Sequence, residues 1–254
     1  VVTPHLGAST SEAQERVAID VAEQIVAVLA GEPAAYAVNA PMIPPETLST
    51  LRPYAEAAVM AGSLATQLSS GQLGAVEIAY SGELSLHDTG LLRAGVIRGL
   101  LKPISEENVT IVNADLVAQH RGLRIGERKD PHGADGARSQ VAVRVTTSTG
   151  TTEVAATVEH GEPHIAQLDG MRVDVSPASP HLLILDNQDI PGMIGRVGTL
   201  MGEFDINIAA MHVGRHQARG RAVMVLQLDE APSAEQIRRI EAIPNIFSAR
   251  LVRL

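Results

Sequence analysis

The last third of the chain switches hydrophobic period in an order that few folds satisfy. His181–Asp186 (HLLILD) is an apolar run of strand length. Pro191–Phe204 repeats apolar residues at helical spacing, with proline in its first turn. Ile206–Val213 and Arg221–Leu228 read as strands. Ser233–Ile243 reads as a helix whose Ser233 and Gln236 have capping-box spacing, and Ile246–Val252 is a last strand. The order is β-α-β-β-α-β over about 75 residues, that of the ferredoxin-like split unit.

Ser176, Pro177, Ser179 and Pro180 separate this unit from what precedes it. Upstream, Glu46–Leu68 is helical by its apolar spacing, with Pro53 in or near the first turn or at a kink. Leu73–Ser81 alternates as a strand, Asp88–Leu101 is helical, and Val109–Leu123 reads as a short strand followed by a helix. Arg124–Glu127 is a strand, and Lys129–Gly136 has loop chemistry. Val141–Thr147 and Thr152–Val158 alternate on either side of Ser148-Thr149-Gly150, a hairpin. His164–Leu168 and Arg172–Val175 are further short strands. Residues 42–175 are thus expected to form one α+β domain. At the start, Thr10 and Ser11 offer an N-cap to a helix carrying Val17, Val21, Ile25, Val28 and Leu29, ended by Gly31 and Pro33. Ala35–Asn39 is short and extended, and Ala40–Pro45, with three prolines, reads as a boundary.

Composition removes several function classes. The chain has 254 residues, enough for one to three domains, and a net charge of −9 with no basic run, which argues against binding a nucleic-acid backbone. It has no cysteine, so disulfides, thiolate nucleophiles, iron–sulfur clusters and Cys-ligated zinc are out, and a reducing cytoplasmic location is expected. Aromatic residues make up 2 %, too few for base-stacking platforms. No apolar run approaches membrane-spanning length, and no basic region precedes an apolar one at the start. The chain opens on Val1 inside what reads as structured sequence, as a fragment would.

Asp189-Ile190-Pro191-Gly192 with Ile194-Gly195, followed by Asp205-Ile206-Asn207-Ile208, resembles an ACT domain. Such domains bind amino acids, usually between two copies. Thr3-Pro4-His5-Leu6-Gly7-Ala8-Ser9-Thr10, then Glu12-Ala13-Gln14, resembles the catalytic-histidine segment of the D-3-phosphoglycerate dehydrogenase family. Val38-Asn39-Ala40-Pro41 resembles the stretch where that family leaves its catalytic core. The resemblance implies an α+β chain in three parts. These are residues 1–41, the end of a 2-hydroxyacid dehydrogenase catalytic core; 42–175, an intervening domain; and 180–254, a ferredoxin-like ACT domain. It implies an NAD-dependent oxidation at the first step of L-serine synthesis, L-serine as an effector, and a homo-oligomer, a tetramer in this family. The chain has no Gly-x-Gly-x-x-Gly, so the turn that cradles a dinucleotide pyrophosphate would lie in another part of the longer protein.

By the same resemblance His5 exchanges the substrate proton, and His5, Leu6, Gly7 and Ala8 lie against the nicotinamide end of NAD. Imidazole titrates near neutrality and suits that role. A loop histidine beside a helix start is the plain alternative. The resemblance places an effector at Asn187, Asp189 and Asn207. Asp accepts from an ammonium, and an Asn amide can donate to a carboxylate. Asp189 and Asn207 are expected to face one groove beside the first helix of the unit, unless they serve only as turn and capping residues. Gly192 and Gly195 fit close helix approach, backbone donation or packing. Arg138 and Arg144 match basic positions of an anion site in the intervening domain, and equally suit a charged, solvated strand edge. His160/His164 and His212/His216 are spaced by four but lie at strand ends and loops, where that spacing does not converge, so no metal is expected. A stand-alone amino-acid sensor and the regulatory half of another 2-hydroxyacid dehydrogenase, or of a serine dehydratase, are the competing readings. The His5 segment argues against the dehydratase.

Overall fold

The computed structural model describes Pro4 and residues 7–29, 45–132 and 138–254. His5 and Leu6, the extended segment Ala35–Asn39, nearly all of Ala40–Pro45 and part of the Lys129–Gly136 loop lie outside the described residues. The chain divides into two compact units, Val1–Met42 and Ile43–Leu254.

In the first unit, Gly7 and Ala8 form a turn before α1 (Ser11–Leu29). The Thr10 hydroxyl accepts from the Ala13 N–H at 3.2 Å, the capping role expected of it. α1 buries none of its residues and presents Val17, Val21, Ile25 and Val28 on one exposed stripe.

The described residues of the second unit form two sheets. α2 (Pro45–Leu68) runs through Pro53, so the proline lies in the helix interior and neither starts nor ends it. The burial of Leu51, Ala57, Ala58, Ala61, Leu64 and Ala65 outweighs its missing N–H. α2 packs against α3 (Gly90–Leu101) at backbone distance. A Cβ on Gly62 would lie 2.2 Å from the Val96 carbonyl oxygen, and one on Gly99 would lie 2.0 Å from that of Val59. α4 (Ala114–His120) follows. The strand expected just before it is absent. Thr110 N–H donates to Asn113 Oδ1 at 2.6 Å and Asn113 Nδ2 to Asn108 O at 3.1 Å. This local side-chain bonding replaces a ladder.

β1 (Leu73–Ser81), β2 (Arg124–Asp130), β3 (Gln140–Thr147), β4 (Thr151–Glu159), β5 (Glu162–Leu168) and β6 (Met171–Val175) form a six-stranded sheet in the order β2-β1-β3-β4-β5-β6. Among the described residues only the β1–β2 pair is parallel, joined through α3 and α4. β3 and β4 make the expected hairpin. Tyr80 of β1 is fully buried and donates to Glu127 Oε2 at 2.9 Å, while Arg93 Nη1 holds Glu127 Oε1 at 2.6 Å.

β7 (His181–Gln188), α5 (Met193–Glu203), β8 (Ile208–Arg215), β9 (Arg221–Leu228), α6 (Ala234–Glu241) and β10 (Ile246–Arg253) reproduce the β-α-β-β-α-β order, with strands arranged β10-β7-β9-β8. This is a mixed α/β chain with a ferredoxin-like second sheet. The Ser233–Gln236 capping box is present. α5 starts two residues later than the Pro191 expectation, because Gly192 at φ +86° is left-handed and cannot belong to the helix.

Both faces of this second sheet are covered. Leu183, Leu185, Met224 and Leu226 join Met193, Val197 and Ile240 of the helices. Leu182, Ile184, Val223, Val225 and Val252 join the core of the six-stranded part. Gln227, nearly buried, ties the connecting segment down by accepting from Ala178 N–H at 2.9 Å and donating to Ser176 O at 3.0 Å. The Gln67 amide of α2 bonds both backbone groups of Arg253, at 2.8 and 3.0 Å, closing off the β10 edge. At the other edge, β8 pairs only with β9 among the described residues. No helix among the described residues is long and apolar enough to cross a membrane.

Candidate functional site

Asp189, Ile190, Pro191 and Gly192 form the turn from β7 into α5. The Asp189 N–H donates to Gly220 O at 2.8 Å, which fixes the turn against the β8–β9 hairpin. Its Oδ2 accepts from Arg215 Nη1 at 2.5 Å and from the Arg219 N–H at 3.1 Å. Arg219 reaches that position through a left-handed φ of +61°. The Arg215 guanidinium, helped by the Arg219 amide, holds the Asp189 carboxyl below the usual carboxylate range. The Gln188 amide also donates to Arg219 O, so turn and hairpin are laced together.

Asn187 is buried beside this turn, on the helix-covered face of the sheet that also carries Leu183 and Leu185. Its Nδ2 donates to Gln188 O at 2.9 Å, while its Oδ1 is buried with no hydrogen-bond partner. An acceptor left in this state is suited to a donor brought by a ligand or a second chain.

Asn207 is elsewhere. Its Nδ2 donates to Asp229 Oδ2 at 2.7 Å and its carbonyl accepts the Asp229 N–H at 3.2 Å. The register pairs Ile208 with Leu228, and Leu228 in turn with His181, whereas Gln188 is opposite Arg221. Asp189 and Asn207 thus sit at opposite ends of the sheet, separated by roughly 25 Å of strand. The expectation that they face one groove is corrected for a single chain. Apolar periodicity assigns a face to each residue but does not say at which end of a strand it falls.

The other expected site residues disperse as well. Arg138 pairs with Glu159 at 3.1 Å, and Arg144 with Glu153 at 2.5 Å. Arg138 lies two residues before β3 and Arg144 midway along it, roughly 20 Å apart, so they do not form one anion site. Gly192 and Gly195 have open space where a Cβ would be, so neither serves a close approach within this chain. His164 Nδ1 lies 3.0 Å from Asp174 Oδ1, and one atom each from Glu159, His164 and Asp174 falls within 4.8 Å of the others. This grouping was missed because its members come from three strands. Glu159 is already engaged by Arg138 there.

Sequence reasoning also missed Arg215. Its signal was the cluster Arg215, Arg219 and Arg221 in one hairpin of an acidic chain. The sequence carries no Gly-x-Gly-x-x-Gly, the turn that receives a dinucleotide pyrophosphate.

Comparison with known proteins agrees with this architecture. The D-3-phosphoglycerate dehydrogenase intervening domain profile matches residues 50–169, and the ACT domain profile matches residues 181–245. The chain is 39 % identical to D-3-phosphoglycerate dehydrogenase 2, chloroplastic, of Arabidopsis thaliana, over 96 % of this chain and 42 % of that protein. It is 38 % identical to D-3-phosphoglycerate dehydrogenase of Methanocaldococcus jannaschii, over 99 % and 48 %, and 35 % identical to that of Bacillus subtilis, over 100 % and 48 %. The chain spans about half the length of the curated relatives it matches. It therefore carries a D-3-phosphoglycerate dehydrogenase intervening domain followed by an ACT domain, and matches the C-terminal part of D-3-phosphoglycerate dehydrogenases over its whole length.

Proposed function

We propose that this chain is the effector-binding part of a D-3-phosphoglycerate dehydrogenase, and that it binds L-serine between two copies of its ACT domain. Asn187 and Asp189 of one copy and Asn207 of the second would form each site. The observation that carries this reading is the placement of Asp189 and Asn207 at opposite ends of a sheet whose edge strand, β8, is unpaired on its outer side among the described residues. A two-fold axis pairing β8 with β8 in antiparallel register sets Asn207 of one chain beside Arg215 of the other. Arg215 holds Asp189, so the two halves of the site meet only in the dimer. Asp189 then receives the ammonium, the Asn187 Oδ1 gains a donor, and Asn207 with Arg215 receives the carboxylate.

The parts are 1–41, 42–175 and 180–254, and the assembly is a homotetramer in the cytoplasm. Oxidation of 3-phosphoglycerate with NAD is assigned to the longer protein, with His5 as its acid–base group, Leu6, Gly7 and Ala8 near the nicotinamide, and the dinucleotide fold outside this chain. Calorimetric titration of the chain with L-serine tests the reading, with NADH in parallel. Saturable serine binding that is lost in both Asp189→Ala and Asn207→Ala, with no NADH binding, is expected. Serine binding untouched by either substitution would refute the site.

A further inference from the structure

Three neighbouring strands of the six-stranded sheet each bring one metal-ligating side chain to a common point. Glu159 ends β4, His164 lies in β5 and Asp174 in β6. The β4–β5 register pairs Thr157 with His164 and Glu159 with Glu162, so Glu159 and His164 are diagonal neighbours on one face. Ile165 pairs with Val175, and both are buried in the core. Their chain neighbours His164 and Asp174 therefore share the opposite face, with Glu159. The turn that joins β4 to β5 is His160-Gly161, both at positive φ, the conformation of a tight two-residue hairpin. Ladder register and a tight turn, rather than a long loop, thus fix the spacing of the three groups.

His164 Nδ1 lies 3.0 Å from Asp174 Oδ1, and one ligand atom from each of the three residues lies within 4.8 Å of the other two. Zinc holds nitrogen and oxygen ligands at about 2.0–2.2 Å, which sets them about 3.3–3.6 Å apart around a tetrahedron. Even the widest pair closes by little more than about 1 Å, within reach of a carboxylate torsion. The His164 side chain is 16 % exposed and serves as the fixed member, whereas Asp174 at 72 % opens the cluster to solvent, from which water can complete the shell. Two carboxylates here face one cation, Arg138, whose Nη2 lies 3.1 Å from Glu159 Oε1. That guanidinium is exposed and occupies one edge of a carboxylate that has two oxygens.

We propose that Glu159, His164 and Asp174 bind a divalent transition-metal ion of the zinc class. One imidazole beside two carboxylates favours such an ion over magnesium, which takes oxygen ligands alone. The ion would replace the proton that joins His164 to Asp174 and would tie β4, β5 and β6 together. β6 leads directly into the Ser176–Pro180 connection, so the ion would fasten the strand from which the chain passes to the second sheet. The spacing of His160 and His164 plays no part, because the partners of His164 come from the adjoining strands. The site does not depend on the serine reading.

The test is calorimetric titration of the untagged, chelator-stripped chain with zinc chloride in a non-coordinating buffer, with magnesium chloride as the control. One zinc per chain with a micromolar Kd is expected, and magnesium at least a hundredfold weaker. His164→Gln and Asp174→Asn should each weaken zinc binding at least tenfold. Arg138→Gln, which removes a competing positive charge, should tighten it severalfold, an effect misfolding cannot mimic. His160→Gln and Asp189→Ala should leave it unchanged. Zinc at a hundredfold excess over Kd should raise the melting temperature by about 5–10 °C, and His164→Gln should abolish the rise. Absence of saturable zinc binding below about 100 μM would reduce the cluster to two ion pairs and overturn the proposal. Unaltered affinity in His164→Gln, magnesium binding as tightly as zinc, loss in His160→Gln, or no rise in melting temperature would each overturn it as well.

Discussion

Replacing glycine by alanine in a helix ordinarily stabilises it by roughly 0.5–1 kcal/mol through lost backbone entropy in the unfolded chain. Gly99→Ala in α3 should do the reverse. Its Cβ would lie 2.0 Å from the Val59 oxygen, 2.8 Å from the Val59 carbonyl carbon and 2.9 Å from the Ser63 nitrogen, all backbone atoms of α2. An ordinary contact begins at 3.4 Å, so the helices must separate by about 1.4 Å, which is 3.4 minus 2.0. A gap of about 1 Å forfeits up to half of each dispersion contact along the seam. That seam holds Leu92, Val96 and Leu100 against Ala58, Ala61 and Leu64, all essentially excluded from solvent. Overpacking of this kind costs about 1–3 kcal/mol or more, and the seam is central to the core, so a net loss of about 3 kcal/mol is expected. For a chain of this length that is roughly 6–12 °C in melting temperature. Gly198→Ala in α5 meets nothing within 4 Å and should leave the melting temperature unchanged or raise it. Thermal unfolding followed by circular dichroism is the assay, because the chain has no tryptophan. Equal effects of the two substitutions, or a stabilised Gly99→Ala, would refute the close crossing of α2 and α3.

Tyr80→Phe should cost about 1–2 kcal/mol in urea unfolding, because it removes a buried donor to the Glu127 carboxylate; an unchanged midpoint would deny that bond. Asp169 has a raised carboxyl pKa in the fold, so its favourable contribution is complete at acid pH and is lost as pH rises through the folded value. Asp169→Asn should therefore raise the melting temperature near neutral pH and lose that advantage below about pH 4. Asp189 has the opposite sign. Its contact with Arg215 contributes above the ordinary carboxylate range, and the difference between wild type and Asp189→Asn should vanish as pH falls below it.

The βαββαβ order was legible because each of its elements is short and its period changes cleanly at Gly, Pro or Ser. The Ser233–Gln236 box and the Ser148–Gly150 hairpin are local signals and are present in the structure. The covering of both faces of the second sheet was harder to read, although the sequence holds a trace of it. Leu182–Leu185 and Ala222–Leu226 are continuous apolar runs, the mark of strands buried on both sides, whereas a sheet with one wet face alternates. The loop over Val109–Asn113 read as a strand because Val109, Ile111 and their neighbours alternate, yet Asn113 satisfies that backbone locally. Of the candidate site, the turn at Asp189 was legible as a motif. The distance from it to Asn207 was not, since it depends on α5 returning the chain to the far end of the sheet. The pairing of Arg138 and Arg144 with Glu159 and Glu153 needed the β3–β4 register, which alternation leaves open.

The central claim is that an amino-acid site is assembled from opposite ends of two ACT sheets, and mixing two defective chains tests it most directly. Asp189→Ala and Asn207→Ala chains should each fail to bind L-serine. After mixing in equal amounts under conditions that allow subunit exchange, half of the pairs are mixed and each holds one intact site, so about one quarter of the wild-type serine sites should reappear in the calorimeter. No recovery, with exchange shown to be complete, would contradict a site shared between copies and place Asn207 outside it.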